Sequence, residues 1–213
     1  MGVENNSYYG DEINIGEAIK GGAVIEDVLY TKELQERKLF LAYEVNSVGV
    51  AEMVKHILQY NKDDEGVPSQ NRKPIFVYVM SPGGSIPDGL ALIDAIMQSK
   101  TPVYTVCIGY AYSMAFLIML AGHKRFSTAN ATFLMHDGQD MVWNSSAKVQ
   151  DQVKFNAKLE ERNKRFVLAH SSITEEKYES KYRVEWYMFA DEAKENGFID
   201  YIIGEDSVID DIL

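Results

Sequence analysis

From Thr101 to Gly122 the chain carries no charged side chain. Such a run either crosses a membrane or sits deep in a protein core. Gly109 splits it. The first half, with Val103, Thr105, Val106 and Ile108, is β-branched and strand-like, while the second half, Met114–Ala121, is rich in Ala, Leu and Met. No second uncharged span and no aromatic belt accompany it. The run therefore predicts a buried strand followed by a buried helix, with no membrane span. Only a sizeable core can bury both. The 213 residues, 46% apolar and 25% charged, suffice for one such core.

The remaining composition narrows the partners. The formal net charge of −11 repels phosphate backbones, so nucleic acid is not expected. The N-terminus has no basic segment followed by an apolar one, so no secretory signal is read there. The single cysteine, Cys107, excludes an internal disulfide and lies within the uncharged run, where it reads as a small buried hydrophobe. A reducing, cytoplasmic setting fits it. His56, His123 and His170 show no metal-ligand spacing, so no metal or other cofactor is expected.

Along the chain, residues 1–27 read as a loosely attached N-terminal segment and 28–213 as one domain. Strands are expected at Lys38–Val45, Pro74–Met80, Val103–Cys107, within Phe126–His136 and at Phe198–Ile203. Helices are expected at Val50–Tyr60, from Pro87 onward, Ser113–Ala121, Ala147–His170, Thr174–Lys181 and Asp191–Glu195. The helix opened by Pro87 is expected to bury Leu90, Ile93, Ala95, Ile96 and Met97. Apolar strands alternating with helices predict an α/β fold with a mostly parallel sheet covered on both faces.

Three strand-to-helix junctions carry possible chemistry. In Ser81-Pro-Gly-Gly-Ser85 the paired glycines allow positive φ and close backbone approach, and their amides suit a developing oxyanion. In Gly109-Tyr-Ala-Tyr-Ser-Met114, Ser113 lies at a helix N-terminus, where backbone donors favour negative charge. In Phe133-Leu-Met-His136-Asp-Gly, His136 ends an apolar strand and is suited to take up and return a proton. Each has a plainer reading alone: a tight turn, a helix N-cap, a structural histidine. Together, at the strand ends of one α/β core, they mark a candidate site.

Ser-Pro-Gly-Gly-Ser, Gly-x-Ala-x-Ser-Met and Met-His, followed by a long helix and Glu192-Ala-x-x-x-Gly-Phe-Ile-Asp200, resemble the proteolytic subunit of the Clp protease family over about Val28 to Ile203. The separation of Ser113 and His136, 136 − 113 = 23 residues, is close to that family's. The resemblance implies a crotonase-like α/β unit whose long helix is the handle through which heptameric rings stack. It implies a serine endopeptidase, with Ser113 as nucleophile, His136 as general base and the amides of Gly84 and Met114 as oxyanion donors. It further implies unfolded polypeptides as substrates, a homo-oligomeric chamber and a Clp-type unfoldase ATPase as feeding partner.

The chain departs from the family at several points. The position usually held by an Asp, seven before the Glu-Ala pair, is 192 − 7 = 185, and Glu185 stands there. Glu185 is the expected triad acid, with Asp137, Asp140 and Asp191 as alternatives. Ala115 replaces the usual glycine after Ser-Met, and Asp-Gly-Gln follows His136 in place of Gln-Pro. Residues 1–27 do not match the family's axial hairpin, which puts the ATPase partnership in question. The competing reading is a catalytically silent ring subunit with a structural or regulatory role.

Overall fold

The structure is a computed structural model that describes residues 16, 20–22, 24–138 and 143–207. Seven strands form one sheet: β1 Lys38–Leu41, β2 Ile75–Ser81, β3 Val103–Tyr112, β4 Lys124–Thr128, β5 Thr132–Met135, β6 Trp186–Phe189 and β7 Tyr201–Ile203. The helices among the described residues are α1 Ile25–Gln35, α2 Ser47–Asp63, α3 Ile86–Gln98, α4 Met114–Leu120, α5 Ser146–Ala169, α6 Glu175–Lys181 and α7 Ala190–Glu195. α1 crosses the expected boundary at residue 27 and buries Val28 and Leu34.

The main sheet runs β1-β2-β3-β4-β7, and every pairing in it is parallel. β3 is the pivot. Its first half pairs with β4 and its last residues pair with β5. β5 in turn takes β6 antiparallel, so that Met135 faces Trp186. A register shift makes the switch possible. Val79 pairs with Cys107 but Ser81 pairs with Ala111, so two steps along β2 match four along β3. Extra residues in one strand bend it and sharpen its twist. Gly109 sits inside this bulge. The strand therefore continues through the glycine to Tyr112, beyond the expected end at Cys107.

Most of the helices pack on one face. The main core cluster joins Leu41, Val77, Val79 and Cys107 of the sheet to Ile57, Leu92, Ile96 and Phe116 of the helices. The opposite face carries a smaller cluster of Phe76, Tyr78, Val106 and Phe126, flanked by Tyr104, Ile108, Tyr201 and Ile203. Both faces are covered, as expected: stacked and edge-on rings close the second (Phe76–Tyr104 5.7 Å, Phe126–Tyr201 5.1 Å between centroids), where Leu29, Lys32 and Glu33 of α1 line a pocket with Tyr78 and Ile108. In α3 the buried positions are Gly89, Leu92, Ile93 and Ile96, whereas Met97 is exposed. The apolar stripe is set by what faces the sheet.

The uncharged run divides into β3 and α4 as expected. Among the described residues no helix is long and apolar enough to cross a membrane. The long helix is α5, 24 residues and about 36 Å at 1.5 Å per residue. Only Val167, near its C-terminal end, is buried, and Val153 and Phe155 are exposed.

Candidate active site

The C-terminal ends of β2, β3 and β5 converge, and each carries one of the motifs singled out in the sequence. Ser113 follows β3 directly. Its backbone takes φ +54° and ψ −122°, a region that L-residues rarely occupy. Its N–H donates to Leu134 O at 3.0 Å, which ties the turn to β5. The chain then enters α4 at Met114. Such a sharp strand-to-helix turn projects the side chain from the sheet edge at the helix N-terminus. The Ser113 side chain makes no capping bond to the helix, so the N-cap role does not engage its hydroxyl.

β5 runs parallel to the end of β3, with Tyr112 opposite Leu134. His136 lies one residue beyond β5, so its position in the sheet is next to that of Ser113. The Ser113 and His136 side chains line one cavity, together with Met114 and Met135. No hydrogen bond joins the two side chains among the described residues. Bonds of this kind often tighten only when a substrate is bound.

Glu185 reaches the site by strand register. β5 and β6 pair antiparallel through Met135 and Trp186. Extending that ladder by one residue sets Glu185 opposite His136, on the same face of the hairpin. Glu185 Oε1 lies 3.0 Å from His136 Nδ1. The imidazole side chain is 18% exposed and the carboxylate 55%. The pairing leaves Nε2 free to face the cavity. The sequence identified Glu185 only by its distance from the Glu-Ala pair, since β6 itself, Trp-Tyr-Met-Phe, was not read as a strand. Of the alternative acids, Asp191 lies in the first turn of α7, where its Oδ1 accepts from Glu192 N–H (2.9 Å). Asp137 makes no bond to His136 among the described residues, and Asp140 lies outside them.

The third element is the loop after β2. Ser81 Oγ donates to Tyr43 O (2.6 Å) and accepts from Gly83 N–H (3.2 Å). Val45 bridges Gly84, with Val45 N–H donating to Gly83 O at 2.7 Å and Ser85 N–H donating to Val45 O at 2.9 Å. In a parallel bridge those two bonds use the groups on either side of Gly84. Its own N–H points away and has no protein acceptor among the described residues. The Met114 N–H, at the first position of α4, has none either.

Gly83, φ +94°, explains how the two loops approach. A Cβ there would lie 2.8 Å from Ser113 Cβ and 2.9 Å from Met114 N, a clash that nothing but glycine avoids. The close approach belongs to Gly83 as much as to Gly84, a division that the Gly-Gly pair alone does not reveal.

The cavity beside Ser113 is a narrow slot of about 60 Å³. Met114, Phe116, Leu117 and Met135 form its apolar floor, and Leu159, Glu160 and Asn163 of α5 with Tyr178 and Tyr182 of α6 form its wall. Tyr182 and Glu160 went unread in the sequence, because nothing in their local pattern links α5 and α6 to β3. Burial, with the Glu160 carboxylate contributing, pushes the Tyr182 phenol up to about 12. Cys107 lies behind the site within β3, where burial pushes its thiol up to about 12 and keeps it from acting as a nucleophile.

The arrangement sets a hydroxyl, an imidazole backed by a carboxylate and the Met114 amide around one slot, with the Gly84 amide in the adjoining loop. Comparison with known proteins shows the family. The family model described as Clp protease matches residues 21–206. The ATP-dependent Clp protease proteolytic subunit 3 of Synechococcus sp. (strain CC9605) is 32% identical over 180 residues, covering 82% of this chain and 86% of that protein. The ATP-dependent Clp protease proteolytic subunit 2 of Prochlorococcus marinus (strain MIT 9312) is 34% identical over 181 residues, covering 82% and 85%. With the α/β sheet, the paired glycines, Ser113 and His136 all falling within the matched span, the chain belongs to the Clp protease family.

Proposed function

We propose that this chain is a serine endopeptidase subunit that cleaves unfolded polypeptides inside an oligomeric chamber. Ser113 is the nucleophile, His136 the general base, Glu185 the acid that orients it, and the amides of Gly84 and Met114 hold the oxyanion. One observation carries the reading: a strained serine at the mouth of α4 shares a slot with an imidazole whose far nitrogen is held by a carboxylate at 3.0 Å.

The chemistry follows from the groups in place. Ser113 Oγ attacks the scissile carbonyl carbon as His136 Nε2 takes its proton. The carbonyl oxygen becomes an oxyanion between two N–H donors, and such donors are each worth roughly 10²–10³ in rate. Collapse of the tetrahedral species expels the amine, which leaves with the proton from His136. Water, deprotonated by the same imidazole, then attacks the Ser113 ester and releases the second product. No step in this sequence calls for a metal or cofactor. Glu185 holds the Nδ1–H tautomer, so that Nε2 can accept the proton.

The family and the length of α5 support assembly into stacked rings in the cytoplasm, with α5 as the handle. The names of the two cyanobacterial relatives support an ATP-driven unfoldase as the feeding partner. The silent ring subunit remains the competing reading, and the missing Ser113–His136 hydrogen bond is the observation that favours it. A fluorophosphonate probe on the assembled protein separates the two. Labelling that disappears in Ser113→Ala, together with hydrolysis of an unfolded substrate, supports the peptidase. An assembled wild-type protein that takes no label overturns it.

A further inference from the structure

Among the described residues the slot beside Ser113 is lined by one carboxylate, and that carboxylate has no ion-pair partner among them. Glu160 lies on the face of α5 that lines the slot. Its natural partner on a helix is the residue four positions on, Lys164. Lys164 is turned away and binds Glu175 Oε1 (2.7 Å) and Glu179 Oε1 instead. Arg165 pairs with Glu161 (3.6 Å). Glu160 makes no ion pair among the described residues. The Tyr182 hydroxyl stands beside it, and Asp137 and Arg183 act on that hydroxyl with opposite charges from further out. Among the described residues that line the slot, Glu160 is the one carboxylate.

The slot that holds this carboxylate and Ser113 has an apolar floor of Met114, Phe116, Leu117 and Met135, with Asn163, Tyr178 and Tyr182 adding polar groups to its wall. A cavity of about 60 Å³ has room for a few water-sized atoms. That suits one slender, unbranched chain and not an indole. A side chain with a methylene stem and a cationic tip meets both features, because the stem stays on apolar surface while the tip reaches the charge. We infer that the slot selects lysine, in second place arginine, as the residue whose carbonyl Ser113 attacks, and that Glu160 is the specificity-determining residue. The inference deepens the peptidase reading and rests on it.

The test uses the assembled full-length protein and matched fluorogenic peptides that differ only in the residue before the cleaved bond: Lys, Met or Glu. Lys is expected to exceed Met in kcat/KM by about five- to tenfold, the range of one partly screened ion pair, with Glu lowest. Glu160→Gln should erase the Lys advantage, so that the Lys and Met peptides are cleaved with similar kcat/KM. Glu160→Lys should raise the Glu peptide above the Lys peptide. Glu160 is exposed, so the fold should tolerate both changes. A wild type that cleaves Met and Lys peptides equally, or E160Q that keeps the Lys advantage, overturns the inference and leaves the peptidase reading standing. If no peptide is cleaved and Ser113 takes no probe, the peptidase reading fails. Binding of the same three peptides then decides for the slot alone: equal affinities overturn the charge selection, and tighter binding of Lys upholds it.

Discussion

The parallel sheet carries an acid–base pair at each end, and each pair lies beside a non-glycine residue held at positive φ. At the N-terminal ends of the strands Arg37, φ +61°, donates from both terminal nitrogens to Asp64 at 2.7 Å. Thr101 Oγ1 adds a third bond to the carboxylate at 2.8 Å, and the guanidinium lies 5.2 Å above the Tyr60 ring. At the C-terminal ends Ser113, φ +54°, adjoins the pair of His136 and Glu185, which share one contact and leave the carboxylate half open to water. The first pair is closed on itself: Arg37 grips both carboxylate oxygens of Asp64 and also donates to Lys73 O at 2.8 Å. Among the described residues the second keeps an imidazole nitrogen, a hydroxyl and two amides unspent. Strain surrounded by satisfied groups is architectural, and strain beside unsatisfied groups is poised for a ligand.

The comparison breaks most visibly at Glu185. Glu185→Gln should lower kcat by about 10²–10⁴-fold, the loss that follows when the histidine tautomer is no longer held. The urea midpoint should hardly move, because exposed ion pairs contribute about 0–1 kcal/mol. Steady-state kinetics beside urea titration reads both. Unchanged turnover would reduce the pair to a surface ion pair and remove the contrast.

Asp64→Asn should behave the other way round. Leaving Arg37 buried without its partner should cost about 3 kcal/mol of stability with kcat within about twofold of wild type. The hydrogen bonds from Arg37 hold the Asp64 carboxyl below the usual carboxylate range. With the folded value depressed, this contribution is complete above the ordinary carboxyl pKa of about 4. It is lost as pH falls through the folded value. Urea midpoints at neutral and acidic pH should therefore converge between wild type and Asp64→Asn as the solution is acidified. A constant gap would show that the pair does not titrate as drawn.

The smallest effect isolates the strain at Ser113. Ser113→Gly and Ser113→Ala both remove the hydroxyl, but only glycine accepts φ +54° freely. The glycine variant should be the more stable by about 1 kcal/mol, read from urea midpoints of the two inactive proteins. Equal midpoints would mean that the turn stores no strain.

Much of this architecture was legible before any coordinates. The uncharged run announced β3 and α4 because burying both excludes charge, and Pro-Gly-Gly announced a close backbone approach. The motifs around Ser113 and His136 lie at strand ends, where periodicity places them directly. Other features were hidden. Trp186–Phe189 reads as neither strand nor helix by pattern, since its alternation spans only four residues; pairing with β5 makes it a strand. Met97 matched the helical stripe yet points outward, because the stripe's limits depend on where the sheet lies.

The amino-acid sequence by itself determined most of the elements, their order and the residue types able to do acyl-transfer chemistry, since these follow from local periodicity and side-chain identity. Only the tertiary structure decided which groups meet. The bulge in β3 brings His136 beside Ser113, antiparallel register sets Glu185 opposite the imidazole, and Gly83 lets two loops close on one another. Each depends on contacts between segments far apart in the chain, and a local pattern carries no information about the register in which distant strands lock.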